Sequence, residues 1–191
     1  MKKILVLLFL LPLSVFGADY LIIPDIPDFI PAKGDKHIVI HKGIIKDIVK
    51  NEAEEHGSRG VDILLDDESY VFVDHAWMMK FIKWWDNFKA SAFLYPRTNA
   101  FDCENFCELF VALAHTSLIN HDSPQAAAVV GTLYVRQEFR FGAIGDGGGF
   151  HAVVFFFSEK GLFVVEPQGS RSWISSLDKY PNKALVYKVL L

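Results

Sequence analysis

Residues 150–166 read FHAVVFFFSEKGLFVVE, and this stretch decides the fold. Two apolar runs rich in β-branched and aromatic side chains flank the polar turn SEKG. The pattern predicts an antiparallel hairpin of strands 151–157 and 161–165. His151 begins the first strand and Glu166 ends the second. Because paired antiparallel strands bring these two positions to one end of the sheet, we expect the imidazole and the carboxylate to meet.

Two helices are expected upstream of the hairpin. Aromatic residues from Trp77 to Phe88 recur mostly at spacings of three and four, which predicts a helix over 75–93. A second helix is expected from Asn99 to about residue 118, because Asn99 followed by Asp102 resembles a capping box.

The remaining predicted elements are short. Residues 43–50 fit either a helix or the continuation of a strand at 37–40, and the charged segment 51–60 is expected to be a loop. An acidic turn separates 61–65 from 70–73, which predicts a second hairpin. Further strands are expected at 126–134, 139–141 and 184–189. Since the main helices precede a strand-rich half, the order predicts an α+β fold in which a helix packs on an antiparallel sheet.

Composition sets the size and broad class of the protein. The chain has 191 residues, of which 51% are hydrophobic, so one domain with a sizeable core is expected. The net charge is −4 and no run of Lys or Arg is present, which argues against a nucleic-acid-binding surface.

The first residues have the plan of a secretory signal peptide. A basic start, Met1-Lys2-Lys3, precedes an apolar run at 4–16, and small residues follow at 17 and 18. The alternative is a retained membrane anchor, but the run is shorter than the roughly 20 residues that span a bilayer. We therefore expect a signal peptide at 1–17 and a single mature domain at 18–191. That domain would have no membrane span and would be exported to the periplasm or secreted.

The only two cysteines, Cys103 and Cys107, lie four residues apart in the second predicted helix. Helical side chains at that spacing have Cβ atoms roughly 5–6 Å apart, whereas a disulfide requires about 3.5–4.5 Å. Two free thiols are therefore expected. Cys107 fits the apolar core of the helix, while a catalytic role for Cys103 explains an exported free thiol.

Cys103, His151 and Glu166 together predict a nucleophilic thiol centre. A thiol near the first turn of a helix faces free amide groups and the positive end of the helix dipole, which favour the thiolate. His151 would act as the base, and Glu166 would orient it. Taken singly, each residue also fits a structural role: a core cysteine, a hydrogen-bonded histidine and a solvated carboxylate.

The segment FDCENF at 101–106 resembles the start of the nucleophile helix in some papain-like cysteine peptidases. The His-Ala pair at 151–152, followed by Glu-Pro-Gln at 166–168, is similar to the C-terminal protease domain of mushroom agglutinins and its bacterial relatives. The resemblance covers roughly residues 60 to 170. It implies a papain-like fold and an exported cysteine hydrolase, a peptidase or amidase, that acts through a Cys-His-Glu triad and a thioester. Calcium dependence is a further implication.

Two alternatives follow from the same residues. The order Cys, His, third residue is also that of peptidoglycan endopeptidases or amidases of the NlpC type. A catalytically inactive papain-like binding module is the other alternative, because Pro96 and Arg97 stand where such enzymes place an oxyanion-hole glutamine. Asn99 or Gln168 are candidates for that donor.

The expected partners are a polypeptide or peptidoglycan substrate and no nucleic acid. No cofactor is required for thiol chemistry, although acidic residues could bind calcium and the metal-site assignment stays open. Those acidic residues are Asp66, Asp67, Glu68, Asp74, Asp102, Glu104 and Asp146. A zinc site from Cys103, Cys107 and His151 lacks a fourth ligand at a recognised spacing.

Overall fold

The computed structural model describes residues 25–31, 39–96, 101–119, 126–136 and 149–191. Its helices are α1 (Lys42–Glu55), α2 (His75–Ser91) and α3 (Cys103–Ile119), with short 3-10 helices at Leu177–Lys179 and Lys183–Leu185. Its strands are β1 (Ile40–His41), β2 (Asp62–Leu64), β3 (Ser69–Val71), β4 (Ala127–Ala128), β5 (Val130–Arg136), β6 (Phe150–Ser158), β7 (Gly161–Glu166), β8 (Trp173–Ser176) and β9 (Val186–Leu190).

In this part of the chain, a six-stranded sheet has the strand order β2-β9-β5-β6-β7-β8. The predicted hairpin is confirmed, since β6 and β7 pair antiparallel and Val154 lies opposite Val165. Strand β5 pairs antiparallel with both β6 and β9, whereas β2 pairs parallel with β9. The sheet is therefore mixed.

The continuous apolar sequence of β6 follows from burial on both faces of this sheet. Val154 and Phe156 belong to a core that α2 and α3 cover. Val153 and Phe155 belong to a second core, which includes Ile45 of α1 and other apolar side chains. A strand buried on both sides needs an unbroken hydrophobic run instead of an alternating one.

A second, three-stranded sheet has the order β1-β3-β4 among the described residues. The expected hairpin between 61–65 and 70–73 is wrong, because β2 pairs with β9 and β3 pairs with β1 and β4. The expected loop at 51–60 is also wrong in part, since α1 continues to Glu55 before the chain turns at Gly57. The predicted strand at 139–141 lies outside the described residues.

The predicted fold class, papain-like with a nucleophile helix on an antiparallel sheet, is corrected by this architecture. The described chain is a sheet-rich fold with one mixed six-stranded sheet, a second sheet of mixed direction, and helices on both faces of the large sheet. The physical reason is that β2 and β3 find partners far along the chain, so strand pairing is non-local. No helix in the described residues is long and apolar enough to cross a membrane.

Candidate functional site

Cys103 is the first residue of α3, and a capping box fixes the helix start. The Glu104 amide donates to Asp102 Oδ1 at 3.2 Å, and the Asp102 amide donates to Asn105 Oδ1 at 3.1 Å. The box therefore involves Asp102 and Asn105, not the predicted pair of Asn99 and Asp102. It holds the half-buried Cys103 thiol at the positive end of the helix dipole.

His151 and Glu166 meet at the end of the hairpin, as the strand register predicts. His151 Nε2 lies 2.5 Å from Glu166 Oε2. The other carboxylate oxygen, Oε1, accepts a hydrogen bond from the Gln168 amide at 3.1 Å. Glu166 is therefore held from two directions, and it in turn fixes the orientation of the imidazole.

Cys103 is near enough to the His151 ring for its side chain and charge to raise the pKa of His151, so the three predicted residues converge. Because Glu166 occupies Nε2, Nδ1 is the ring nitrogen left for the sulfur. Burial lowers the pKa of His151, but the hydrogen bonds to Cys103 and Glu166 and the charges of both outweigh it. The pKa is raised to about 9. The imidazole is thus protonated at neutral pH, and a positive charge beside sulfur stabilises a thiolate.

Cys107 is more deeply buried than Cys103. Its side chain is fully buried in the core between α2, α3 and the sheet. Burial, followed by nearby negative charges, raises the pKa of its thiol well above the ordinary value. The prediction of two free cysteines, with Cys107 in the core, is confirmed.

Lys89 is a site residue that the sequence analysis missed. The residue is 3% exposed, and its ammonium donates to the carbonyl oxygens of Pro167 at 2.7 Å and Gly169 at 2.5 Å. Asp86 Oδ1 lies 3.0 Å from the same ammonium, and it accepts from the Ser172 hydroxyl at 2.7 Å. These bonds fix the loop that directly follows Glu166. The sequence feature that could have indicated this role is the position of Lys89, four residues after Trp85 on the apolar side of α2.

Of the two candidate oxyanion donors, Gln168 lies in the described part of the chain and Asn99 does not. Asn99 lies outside the described residues. Gln168 is half-buried, and its backbone amide contributes by holding Glu166. A role for its side chain as an oxyanion donor stays a prediction.

The described residues contain no group of three or more His, Cys, Asp or Glu side chains that could hold a metal ion. Several of the acidic residues suggested for calcium have structural roles. Glu68 pairs with Lys42 and His41, and Asp74 caps α2 by accepting from the Trp77 amide at 2.8 Å. Asp146 lies outside the described residues.

Comparison with known proteins finds similarity at the level of fold. No protein-family model matches the chain, and no curated protein matches it. A solved structure of a PSL1a-E64 complex aligns with a TM-score of 0.60 and 15% identity, covering 82% of this chain and 52% of that chain. A Polyporus squamosus lectin bound to Neu5Aca2-6Galb1-4GlcNAc aligns with a TM-score of 0.59 and 15% identity, covering 82% and 50%. The chain thus spans about half the length of these neighbours.

These neighbours overturn the family suggested by the motifs. One of them is described as a lectin, and no family or curated match supports a papain-like cysteine peptidase related to the agglutinin protease domain. The physical reason is that a helix start followed by a hairpin reports local geometry, and the same local geometry occurs on unrelated folds.

The functional expectation is corrected with the family. The exported cysteine hydrolase, the NlpC-type endopeptidase or amidase and the inactive papain-like module all assumed a papain-like chain, whereas one of the aligned structures is described as a lectin bound to a sialylated trisaccharide. The predicted assignment of the chain as a hydrolase and a cysteine (thiol) protease is corrected for the same reason. Neither the structure nor the comparisons support the predicted signal peptide, and residues 1–17 lie outside the described part of the chain.

Proposed function

We propose that the chain is an enzyme whose nucleophile is Cys103, with His151 as proton carrier and Glu166 as the residue that orients the imidazole. The observation that carries this proposal is the His151–Glu166 contact of 2.5 Å, with the other ring nitrogen left for the thiol at the start of α3. The proposal is independent of any family assignment, because a reactive thiol is recognised by its geometry and charge.

The chemistry that this arrangement supports is acyl transfer. The Cys103 thiolate attacks a carbonyl carbon and forms a carbon–sulfur bond, while the electron pair moves onto the carbonyl oxygen. As the oxyanion collapses, the bond from that carbon to the leaving group breaks, and the imidazolium of His151 donates its proton to the leaving group. An acceptor then attacks the thioester, gives its proton to His151 and releases the acyl group.

The oxyanion needs donors close to Cys103. The backbone amide of the first helical residue has no partner within the helix, so the Cys103 amide is the first donor that we propose. The Gln168 side chain is the second, because its backbone already lies against Glu166.

An activated ester tests the proposal directly. We expect p-nitrophenyl acetate to release nitrophenolate in a burst and to leave an acetyl group on Cys103, detected by mass spectrometry of peptides. His151→Ala and Cys103→Ser should lose both signals. Cys107→Ala is the matched control and should keep them, because its thiol is buried. Acetylation that is equal on the wild type and on His151→Ala would contradict the proposal.

The compound E64, named in one of the neighbouring complexes, supplies a second probe. We expect E64 to add covalently to Cys103 of the wild type and to leave His151→Ala unmodified. If neither E64 nor the ester modifies Cys103, the thiol is not an activated nucleophile.

Carbohydrate binding is the second function that we propose, and the similarity to a lectin bound to a sialylated trisaccharide favours it. The test is an NMR titration of the Cys103→Ser variant with the trisaccharide Neu5Aca2-6Galb1-4GlcNAc. Saturable shifts of protein resonances would support sugar binding, and unchanged spectra would exclude this ligand.

We also propose a class of natural acyl donor and a location for the protein. A polypeptide or peptidoglycan substrate fits thioester chemistry, because both carry amide carbonyls. Export to the periplasm or the medium is tested by N-terminal sequencing of protein recovered outside the cytoplasm, and recovery only inside the cell would contradict it.

A further inference from the structure

A pocket of about 310 Å³ opens at the end of β6 that carries the candidate site. Arg59 and Arg136 line it together with the aromatic rings of Phe150 and Tyr187. The apolar side chains of Leu185 and Val186 also contribute. Its size lies at the small end of the range for small-molecule sites, which begins at about 300 Å³.

The chain builds the first wall of this pocket with a turn after α1. Gly57 has a positive φ of 93°, a conformation that favours glycine, and a Cβ at this position would lie 3.3 Å from Ala184 Cβ. The buried Ser58 hydroxyl donates to the Lys183 carbonyl at 2.6 Å. These contacts hold the segment that carries Arg59 against the 3-10 helix at Lys183–Leu185.

The opposite wall comes from the end of the large sheet. Arg136 is the last residue of β5 and lies directly opposite Phe150 in the antiparallel register. Phe150 is 75% exposed, which is unusual for so large an apolar side chain. Its ring lies 5.3 Å from that of Tyr187, in a T-shaped arrangement.

The described lining of the pocket is positively charged. Arg59 and Arg136 are both exposed, and within the described part of the chain no carboxylate forms a salt bridge with either guanidinium. No acidic residue is among the described residues that line it. Guanidinium groups match the planar carboxylate with two parallel hydrogen bonds, whereas exposed aromatic rings provide an apolar surface for stacking.

We propose that this pocket binds a small carboxylate-bearing ligand, with the carboxylate held by Arg59 and Arg136 and an apolar face of the ligand packed on Phe150 and Tyr187. An acidic sugar and an acidic amino-acid side chain both have this chemistry. The binding site is distinct from the thiol centre, because none of its lining residues belongs to the group of Cys103, His151 and Glu166.

The pocket and the thiol centre share the start of β6, and this shared strand is the basis for a positioning role. Phe150 directly precedes His151 in β6. Burial, followed by the charges of Glu104 and Cys103, raises the pKa of Tyr187. Glu104 lies on the thiol side and does not line the pocket. The positioning role rests on the proposed function, whereas binding itself does not.

Two matched pairs of ligands test the proposal by NMR titration of the Cys103→Ser protein. One pair is methyl glucuronide and methyl glucoside, and the other is N-acetylglutamate amide and N-acetylglutamine amide. We expect the carboxylate of at least one pair to bind roughly tenfold more tightly than its neutral partner, because charge-assisted hydrogen bonds are the stronger ones. The pair that shows the preference identifies the source of the ligand.

Charge variants assign the effect to the pocket. Arg59→Gln and Arg136→Gln should each remove most of the carboxylate preference. Lys46→Gln removes one positive charge from the exposed surface of α1 and should keep the preference. A preference that is absent from both ligand pairs, or is unchanged in both arginine variants, would overturn the proposal. Since these titrations use a protein without the thiol, a failure of the nucleophile proposal does not affect them.

Discussion

His151 carries a positive charge at neutral pH although its ring is buried. Burial alone would lower the pKa of His151, and the opposing hydrogen bonds and charges of Cys103 and Glu166 raise it to about 9. The outcome depends on Glu166, because its Oε2 lies 2.5 Å from the ring and Gln168 keeps the carboxylate in place. With a neutral side chain at position 166, only burial and Cys103 would remain as the main influences on the pKa of His151.

The first prediction concerns Glu166→Gln, which keeps the size of the side chain and removes its charge. The pKa of His151 should fall from about 9 toward its ordinary value of 6.5, measured by NMR titration of the imidazole. Alkylation of Cys103 near neutral pH should slow, because fewer molecules would carry a protonated imidazole beside the thiol. Glu55→Gln, an exposed change of the same kind on α1, should alter neither value. An unchanged His151 titration in Glu166→Gln would contradict the role of this carboxylate.

The second prediction concerns stability and pH. The pKa of His151 is raised from 6.5 to about 9 on folding, so the folded state binds its proton more tightly than the unfolded state. This contribution to the free energy of unfolding is fully present below pH 6.5 and is lost as the pH rises through about 9. Urea denaturation of the wild type and His151→Asn should show a difference in stability that shrinks between these values. A difference that is constant or grows over that range would contradict the assignment.

At the scale of elements, α2 positions the loop that carries the carboxylate. Lys89 donates to the Pro167 and Gly169 carbonyl oxygens, and the indole of Trp85 donates to the same Pro167 carbonyl at 3.0 Å. Burial lowers the pKa of Lys89, while the hydrogen bond and charge of Asp86 oppose that effect. The cluster therefore joins α2 to the end of β7 just after Glu166.

The third prediction is that Lys89→Met lowers the free energy of unfolding by about 2–3 kcal/mol. This is less than the cost of breaking a fully buried ion pair, because the Asp86 side chain is 22% exposed. The variant should also slow alkylation of Cys103 at neutral pH, since the loop after Glu166 loses its anchor. Lys83→Met, an exposed change on the same helix, is the control and should stay within about 0.5 kcal/mol of the wild type. Equal stability of the two variants would exclude a structural role for Lys89.

The elements differ in how far local sequence determines them. The hairpin of β6 and β7 was predictable, because its strands are adjacent in sequence and separated by a turn. The start of α3 was misplaced because two polar residues, Asn99 and Asp102, both fit a cap, and the bonds of Asn105 decide between them. The pairing of β2 with β9 could not be predicted, since no local signal links strands more than a hundred residues apart.

At the scale of the whole molecule, the fold brings together side chains that are far apart in the sequence. The convergence of Cys103 with the hairpin residues was predicted from a helix start and a sheet end, and the His151 contacts agree with it. The Lys89 cluster and the arginine-lined pocket were missed, because each combines residues from distant segments. The motifs also suggested a family that the lectin-like neighbours do not support, since short motifs report chemistry more reliably than ancestry.

The fourth prediction follows from the proposal that thiol chemistry in this molecule requires no cofactor. Addition of EDTA should leave the alkylation rate of Cys103 and the melting temperature unchanged. The reason is that Asp74 caps α2 and Asp102 caps α3, so these carboxylates already have partners. A rate that falls with EDTA and recovers with calcium would establish a calcium requirement instead.

The most direct test of the central claim is the pH dependence of iodoacetamide alkylation at Cys103, read by mass spectrometry on the wild type and His151→Ala. The buried Cys107 serves as the internal control for folding in both proteins. We predict that Cys103 of the wild type reacts rapidly near neutral pH, and that His151→Ala loses this reactivity. If Cys103 reacts as an ordinary thiol in both proteins, no thiolate–imidazolium pair exists and the proposed enzyme activity is wrong.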